Sequence, residues 1–259
     1  MPQVANDGVV IHYEVTGAGR PLVLLHGWLC DGSWWSETGY IDDLRQDHML
    51  INIDMRGHGQ SGKPHEPAAY HGASFVGDVL AVGDAEGLDR FAIWGLSYGG
   101  WVSWLTASAA PERVPAFITT GSWDPRPTTY EDWLTDTKPE LDAIRDSGLA
   151  GVVAGYEDDT FRFPSAIMSG MIRSDPEAMI ACQASELLSD GLTDLEGFSV
   201  PALLIAGELE DADDGAATVA GMIDHGASLR LPGLGHAAAC AGAELTIPTA
   251  RAFLDRWFE

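Results

Sequence analysis

An α/β architecture with a doubly wound, mostly parallel sheet and an antiparallel hairpin at its N-terminal end follows from three observations on the sequence. Short, continuously apolar runs alternate with helix-length segments. The runs are bounded by turn-forming Gly, Pro, Asn and Asp. The chain, at 259 residues with 46% hydrophobic and 9% aromatic side chains, is long enough and apolar enough to bury a large core. Runs this short and this apolar suit strands covered on both faces, which is how parallel sheets read.

The first strand pair is Met1 to Ala5 and Val9 to Val15, joined through the turn signal Asn6-Asp7-Gly8. After Gly17-Ala18-Gly19 come four buried-strand candidates, Leu22–Leu25, Met49–Ile53, Phe91–Trp94 and Ala116–Ile118. Helices are expected between them at Ile41–Gln46, Ser74–Ala85 and Tyr98–Ala109, the last stopped by Pro111. Such alternation implies right-handed crossovers and a ligand crevice at the carboxyl ends of the strands.

The rhythm breaks near Gly121 and resumes at Pro201 with strand Ala202–Ala206, followed by strand Ala227–Leu231 and a helix from Leu245 to Phe258. The intervening stretch holds helical segments (Trp133–Ser147, Asp175–Leu188) and side chains such as Trp133, Tyr156, Phe161, Phe163, Met168 and Met171. We therefore expect a core built from residues 1–120 and 199–259 and a helical cap over residues 121–198. The alternative is one long helical crossover.

Charge narrows the partners. With 39 acidic against 14 basic residues the formal charge is −25, which repels nucleic-acid backbones and anionic lipid surfaces, so neither nucleic acid nor a membrane is an expected partner. Three cysteines (Cys30, Cys182, Cys240) without a CxxC pair suit neither a disulfide framework nor a zinc site and fit a cytoplasmic setting. The N-terminus lacks the basic start and apolar run of a secretory signal, and no apolar run has the length of a membrane span. His58, His65 and His71 cluster in sequence but lack an HExxH pattern, so no metal or cofactor is expected.

Gly95-Leu96-Ser97-Tyr98-Gly99 fits G-x-S-x-G and lies where a predicted strand turns into a predicted helix, the context a nucleophile elbow requires. A serine hydroxyl needs a base to take its proton. His236, in a loop expected after strand Ala227–Leu231, is the candidate, whereas His225 precedes that strand and falls at the wrong edge. The imidazole needs a carboxylate to fix its tautomer, and Gly207-Glu208-Leu209-Glu210-Asp211 follows strand Ala202–Ala206. Strand Leu22–Leu25 runs into His26-Gly27-Trp28, where the Trp28 amide, with that of Tyr98, is placed to hold a developing oxyanion.

Together, His26-Gly27-Trp28, Asp54-Met55-Arg56-Gly57-His58-Gly59-Gln60-Ser61, Gly95 to Gly99, Gly207 to Glu210 and Gly235-His236 resemble the α/β-hydrolase fold family over essentially the whole chain outside the cap. The resemblance implies Ser97 as nucleophile, His236 as base, and Trp28 and Tyr98 as oxyanion donors. It places an Asp three residues after Gly207, where this chain has Glu210, so Glu210 is the expected acid with Asp211 and Asp124 as alternatives. A serine at the elbow, where related epoxide hydrolases and haloalkane dehalogenases carry Asp, points away from those two chemistries.

The expected activity is cofactor-independent hydrolysis of a small or medium carboxylic ester through an acyl-enzyme. The same constellation serves lactones, C–C bonds and perhydrolysis. A non-catalytic ligand-binding or sensor protein is the alternative from another class, since fold does not fix function.

Overall fold

The computed structural model describes residues 2–126, 129, 131, 133–156, 162–185, 192 and 194–258. In chain order the strands are β1 (Gln3–Asn6), β2 (Val9–Gly17), β3 (Arg20–Leu25), β4 (His48–Ile53), β5 (Ala92–Leu96), β6 (Phe117–Thr120), β7 (Ala202–Gly207) and β8 (Gly226–Leu231). They form one sheet in the order β1-β2-β4-β3-β5-β6-β7-β8. The pairs β1/β2 and β2/β4 are antiparallel and every later pair is parallel. The chain winds outward from β3 to β4 and then returns to lay β5 on the other side of β3, so a crevice opens where the β3 and β5 connections diverge.

Alternation along the central strands divides the core. Leu22, Leu24, Trp94 and Ile118 face helices α1 (Ser33–Glu37), α2 (Tyr40–Leu44) and α10 (Ala243–Trp257), where Trp35, Tyr40 and Trp94 pack edge to face. Val23, Leu25, Ile93 and Phe117 face α3 (Gly72–Ala85), α4 (Tyr98–Ala109) and α8 (Gly215–Ala220). Helix α3 buries Phe75, Val79 and Val82, a spacing that keeps one stripe inward. Each fully buried large apolar side chain contributes about 1.5–3 kcal/mol, and strands covered on both faces collect that gain at every position.

Between β6 and β7 the chain carries a π-helical turn (Trp133–Thr137), α5 (Lys138–Val153), α6 (Ser165–Ile172) and α7 (Pro176–Ala184). Within α5, Gly148 at φ 68° leaves the helical conformation and kinks the chain, so the first helical stretch stops at Ser147 as expected and a second runs from Leu149 to Val153. Helix α6 was not legible in the periodicity. Helix α7 has Asp175 as its N-cap, accepting from the Glu177 and Ala178 amides at 3.0 Å each, with Pro176 in the first turn. The predicted continuation to Leu188, and Phe161, lie outside the described residues.

One expectation is corrected at the other end of the chain. His236 is not in a loop but is the first residue of a helix, α9 (His236–Ala241), whose Ala-rich sequence favours helix. No described helix is long and apolar enough to cross a membrane. The three cysteines are free and buried.

Candidate active site

Ser97 occupies the single position between β5 and α4, with φ 50° and ψ −117°. A β-carbon makes that region unfavourable, so the conformation persists only because its surroundings hold it. Its amide donates to the Thr120 carbonyl at 2.8 Å and its carbonyl accepts from the Gly100 amide at 2.8 Å. The two flanking glycines are dictated by space. A β-carbon at Gly95 would lie 2.1 Å from the Gly99 carbonyl oxygen, and one at Gly99 would lie 2.4 Å from that of Leu25.

The His26-Gly27-Trp28 turn passes directly over this elbow, since a β-carbon at Gly27 would lie 3.3 Å from Ser97 Cβ. His26 locks the turn: its Nδ1 donates to the Gly27 carbonyl at 2.8 Å and its Nε2 accepts from the Met55 amide at 3.1 Å. Burial lowers its pKa and keeps the ring neutral, as this pattern of one donor and one acceptor requires. Tyr98 is the first residue of α4, a position whose amide has no acceptor within the helix. Both Trp28 and Tyr98 border the same cavity as Ser97.

The stretch Asp54 to Ser61 is structural scaffolding beneath that turn. Asp54 accepts from the Gly32 and Gln60 amides at 2.8 Å each and pairs with His12 Nδ1 at 2.9 Å. Arg56 is buried in a two-pronged ion pair with Asp78, each contact 2.7 Å. His58 packs edge to face on His26, and burial pushes its pKa down to about 3. His65 instead reaches Asp175 and Glu177, and His71 precedes α3, so these sequence neighbours diverge in space.

Glu210 and His236 meet. Glu210 Oε2 lies 2.5 Å from His236 Nδ1, while its Oε1 accepts from the Gly207 amide at 2.8 Å. Nδ1 therefore faces the carboxylate, leaving Nε2 for other work. The other acidic candidates are engaged elsewhere. Asp211 accepts from the Gly215 and Ala216 amides at the start of α8, and Asp124 pairs with Arg126, whose guanidinium lowers its pKa. Gly121, which the sequence marked only as a change of rhythm, abuts the ring: a β-carbon there would lie 2.7 Å from His236 Cε1.

Ser97 and His236 open into one cavity of about 530 Å³, the size of a small-molecule site. Its walls include Trp34, Cys240 and Leu96 from the sheet side, and Tyr156, Phe163, Met171 and Gln183 from the segment between β6 and β7. Tyr156 donates its hydroxyl to Glu140, which also lines the space. Gln183 and the Tyr156–Glu140 pair carry no sequence motif that could have singled them out. Among the described residues no group of His, Cys, Asp and Glu is arranged to hold a metal ion.

The profile of the α/β-hydrolase fold matches residues 20–164. The chain belongs to the α/β-hydrolase fold family. Within that family it is 28% identical over 214 residues to the pimeloyl-[acyl-carrier protein] methyl ester esterase of Nitrosomonas europaea, covering 76% of this chain and 80% of the relative. It is 25% identical over 134 residues to epoxide hydrolase 4 of Mus musculus, a match spanning 51% of this chain but only 36% of that protein. Among solved structures a thermophilic esterase from Thermogutta terrifontis superposes with a TM-score of 0.86 at 22% identity over the full length of both chains, a likeness of fold. This α/β-hydrolase is thus similar to proteins that are hydrolases, esterases among them.

Proposed function

We propose that this α/β-hydrolase is a serine hydrolase that cleaves a carboxylic ester of a small or medium substrate through an acyl-enzyme. The observation that carries the reading is the Glu210–His236 contact at 2.5 Å beside a cavity that Ser97 shares, with Ser97 raised on a positive-φ elbow. Ser97 Oγ attacks the ester carbonyl as His236 Nε2 takes its proton. Glu210 holds the imidazole by Nδ1 and steadies the imidazolium that forms, and His236 then returns the proton to the departing alkoxide. The Trp28 and Tyr98 amides face the carbonyl oxygen as it becomes an anion, a role worth about 3 kcal/mol per donor. Water repeats the sequence to release the acid.

In the same reading residues 121–198 act as a cap that roofs the cavity and selects the substrate. No step calls for a metal or cofactor. The three buried free thiols support a cytoplasmic setting.

A fluorophosphonate probe tests the nucleophile directly. Stoichiometric labelling of the native chain, lost in Ser97→Ala together with turnover of p-nitrophenyl acetate, is the expected result. An unlabelled native chain, or a Ser97→Ala variant that retains activity within about tenfold, overturns the proposal.

A further inference from the structure

Among the cavity-lining side chains that the reaction does not use, Gln183 stands apart. Gln183, on α7, is 8% exposed, borders the same space as Ser97, and its Oε1 is buried without a hydrogen-bond partner among the described residues. A buried amide oxygen normally finds a donor, so an unpaired one in a cavity wall marks a place where a bound molecule completes the bonding. The charged groups of this cavity differ in that respect: Asp124 is held by Arg126, and Glu140 takes the Tyr156 hydroxyl.

The position of Gln183 is fixed from both sides. One turn earlier, the Met179 carbonyl accepts from the Trp28 indole at 3.4 Å, which ties α7 to the oxyanion turn. Two residues later, Ser185 Oγ donates to the Tyr70 carbonyl at 2.9 Å. At the start of the helix, Asp175 meets His65 at 3.1 Å. Gln183 therefore stands one turn along α7 from the residue that the Trp28 indole contacts, in the wall of the cavity that Ser97 shares. In the esterase reading the leaving alkoxide stays within reach of His236, and the acyl chain is assigned the part of the cavity that Trp28 and α7 border.

We infer that Gln183 is a specificity-determining residue that recognises a neutral hydrogen-bonding group, a hydroxyl or carboxamide, on the acyl portion of the substrate. Turned either way, a glutamine amide offers donors at its nitrogen and an acceptor at its oxygen, which a hydroxyl or carboxamide can pair with and an alkyl chain leaves unpaired. Sites built to hydrogen-bond such a group reject the analogue that lacks it far more strongly than apolar pockets reject an extra methylene. The inference rests on the esterase reading of the same site and names the class of acid that site accepts.

The test is a series of p-nitrophenyl ω-hydroxyalkanoates of increasing chain length, each paired with its methyl-terminated isostere. At one chain length the native enzyme is expected to favour the hydroxylated member by about tenfold or more in kcat/KM. Gln183→Met, an unbranched replacement of similar shape, is expected to bring that ratio to about one or below, by slowing the hydroxylated ester while the plain alkanoate, no longer set against an unpaired amide, reacts as fast or faster. A native ratio near one at every length overturns the inference, as does a Gln183→Met variant that slows both members equally. Calorimetric binding of the same pairs to Ser97→Ala separates this result from the esterase reading. Tighter binding of the hydroxylated member supports the role of Gln183 even if no ester turns over, and equal binding removes it.

Discussion

Glu210 divides its carboxylate between two partners, one oxygen on the Gly207 amide at 2.8 Å and the other on His236 Nδ1 at 2.5 Å. The first bond closes the turn after β7 and sets the reach of the longer Glu side chain, so that it arrives at the imidazole from a loop in which the family places Asp.

Three amide substitutions separate the acidic candidates. Glu210→Gln is expected to lower kcat by about 10²–10⁴, because the amide no longer compels the Nδ1–H tautomer. Asp124→Asn should leave kcat within a few-fold. Asp211→Asn should cost about 1 kcal/mol of stability through the start of α8 with little change in kcat. Stopped-flow ester hydrolysis and thermal melts distinguish the three; the largest kcat loss at Asp211 or Asp124 would move the acid there.

Gly121 sits at φ 71° with the His236 ring against it. Gly121→Ala must either displace the imidazole or strain the backbone, and the expected outcome is a kcat loss of at least tenfold exceeding any rise in KM. Unchanged kcat at full fold stability would show that the ring has room to yield.

Stability should fall on the acid side through the buried histidines. Burial holds the His58 pKa at about 3 against an ordinary 6.5 and lowers that of His26 as well. Above about pH 6.5 both rings are neutral, folded or unfolded, and their contribution is intact. Below it the unfolded chain binds protons that the native state refuses; through His58 stability drains between about 6.5 and 3, at up to ~1.4 kcal/mol per pH unit, and His26 adds to that loss below about 6.5. Denaturant unfolding at stepped pH should show this slope, reduced in His58→Asn. A variant with the native slope would remove His58 as its source.

Charge should bias substrate choice. Residues 121–198 hold 16 acidic and 5 basic side chains, and Asp124 and Glu140 border the cavity, with Arg126 offsetting one of them. An ester bearing a free carboxylate is expected to react more slowly than its neutral methyl counterpart. The gap in kcat/KM should narrow as salt rises from 0.1 to 1 M and the screening length shortens from about 10 to about 3 Å. Equal rates at low salt would show that these charges serve solubility alone.

The strands were legible because burial on both faces leaves continuous apolar runs, as in Leu22–Leu25 and Ala202–Ala206. Ser97, His236 and Glu210 could be named as candidates because their positions follow such runs. Five-residue helices such as α1 lie below what a 3.6-residue period can reveal. His236 was expected in a loop because its flanking alanines give no amphipathic contrast, although they favour helix. Gln183 could not be singled out, because its meaning depends on a cavity assembled from distant segments.

The strands that bracket the long insertion are already neighbours: β6 and β7 pair in parallel, with the Phe117 amide on the Pro201 carbonyl and the Gly121 amide on that of Ile205. A crossover of about a dozen residues would suffice to join them. The sheet that positions the candidate residues therefore does not depend on the insertion for its closure. In the proposed reading, mutation can then rework the insertion, lengthen it or exchange it wholesale, altering which molecules are admitted while the candidate residues beneath are inherited intact.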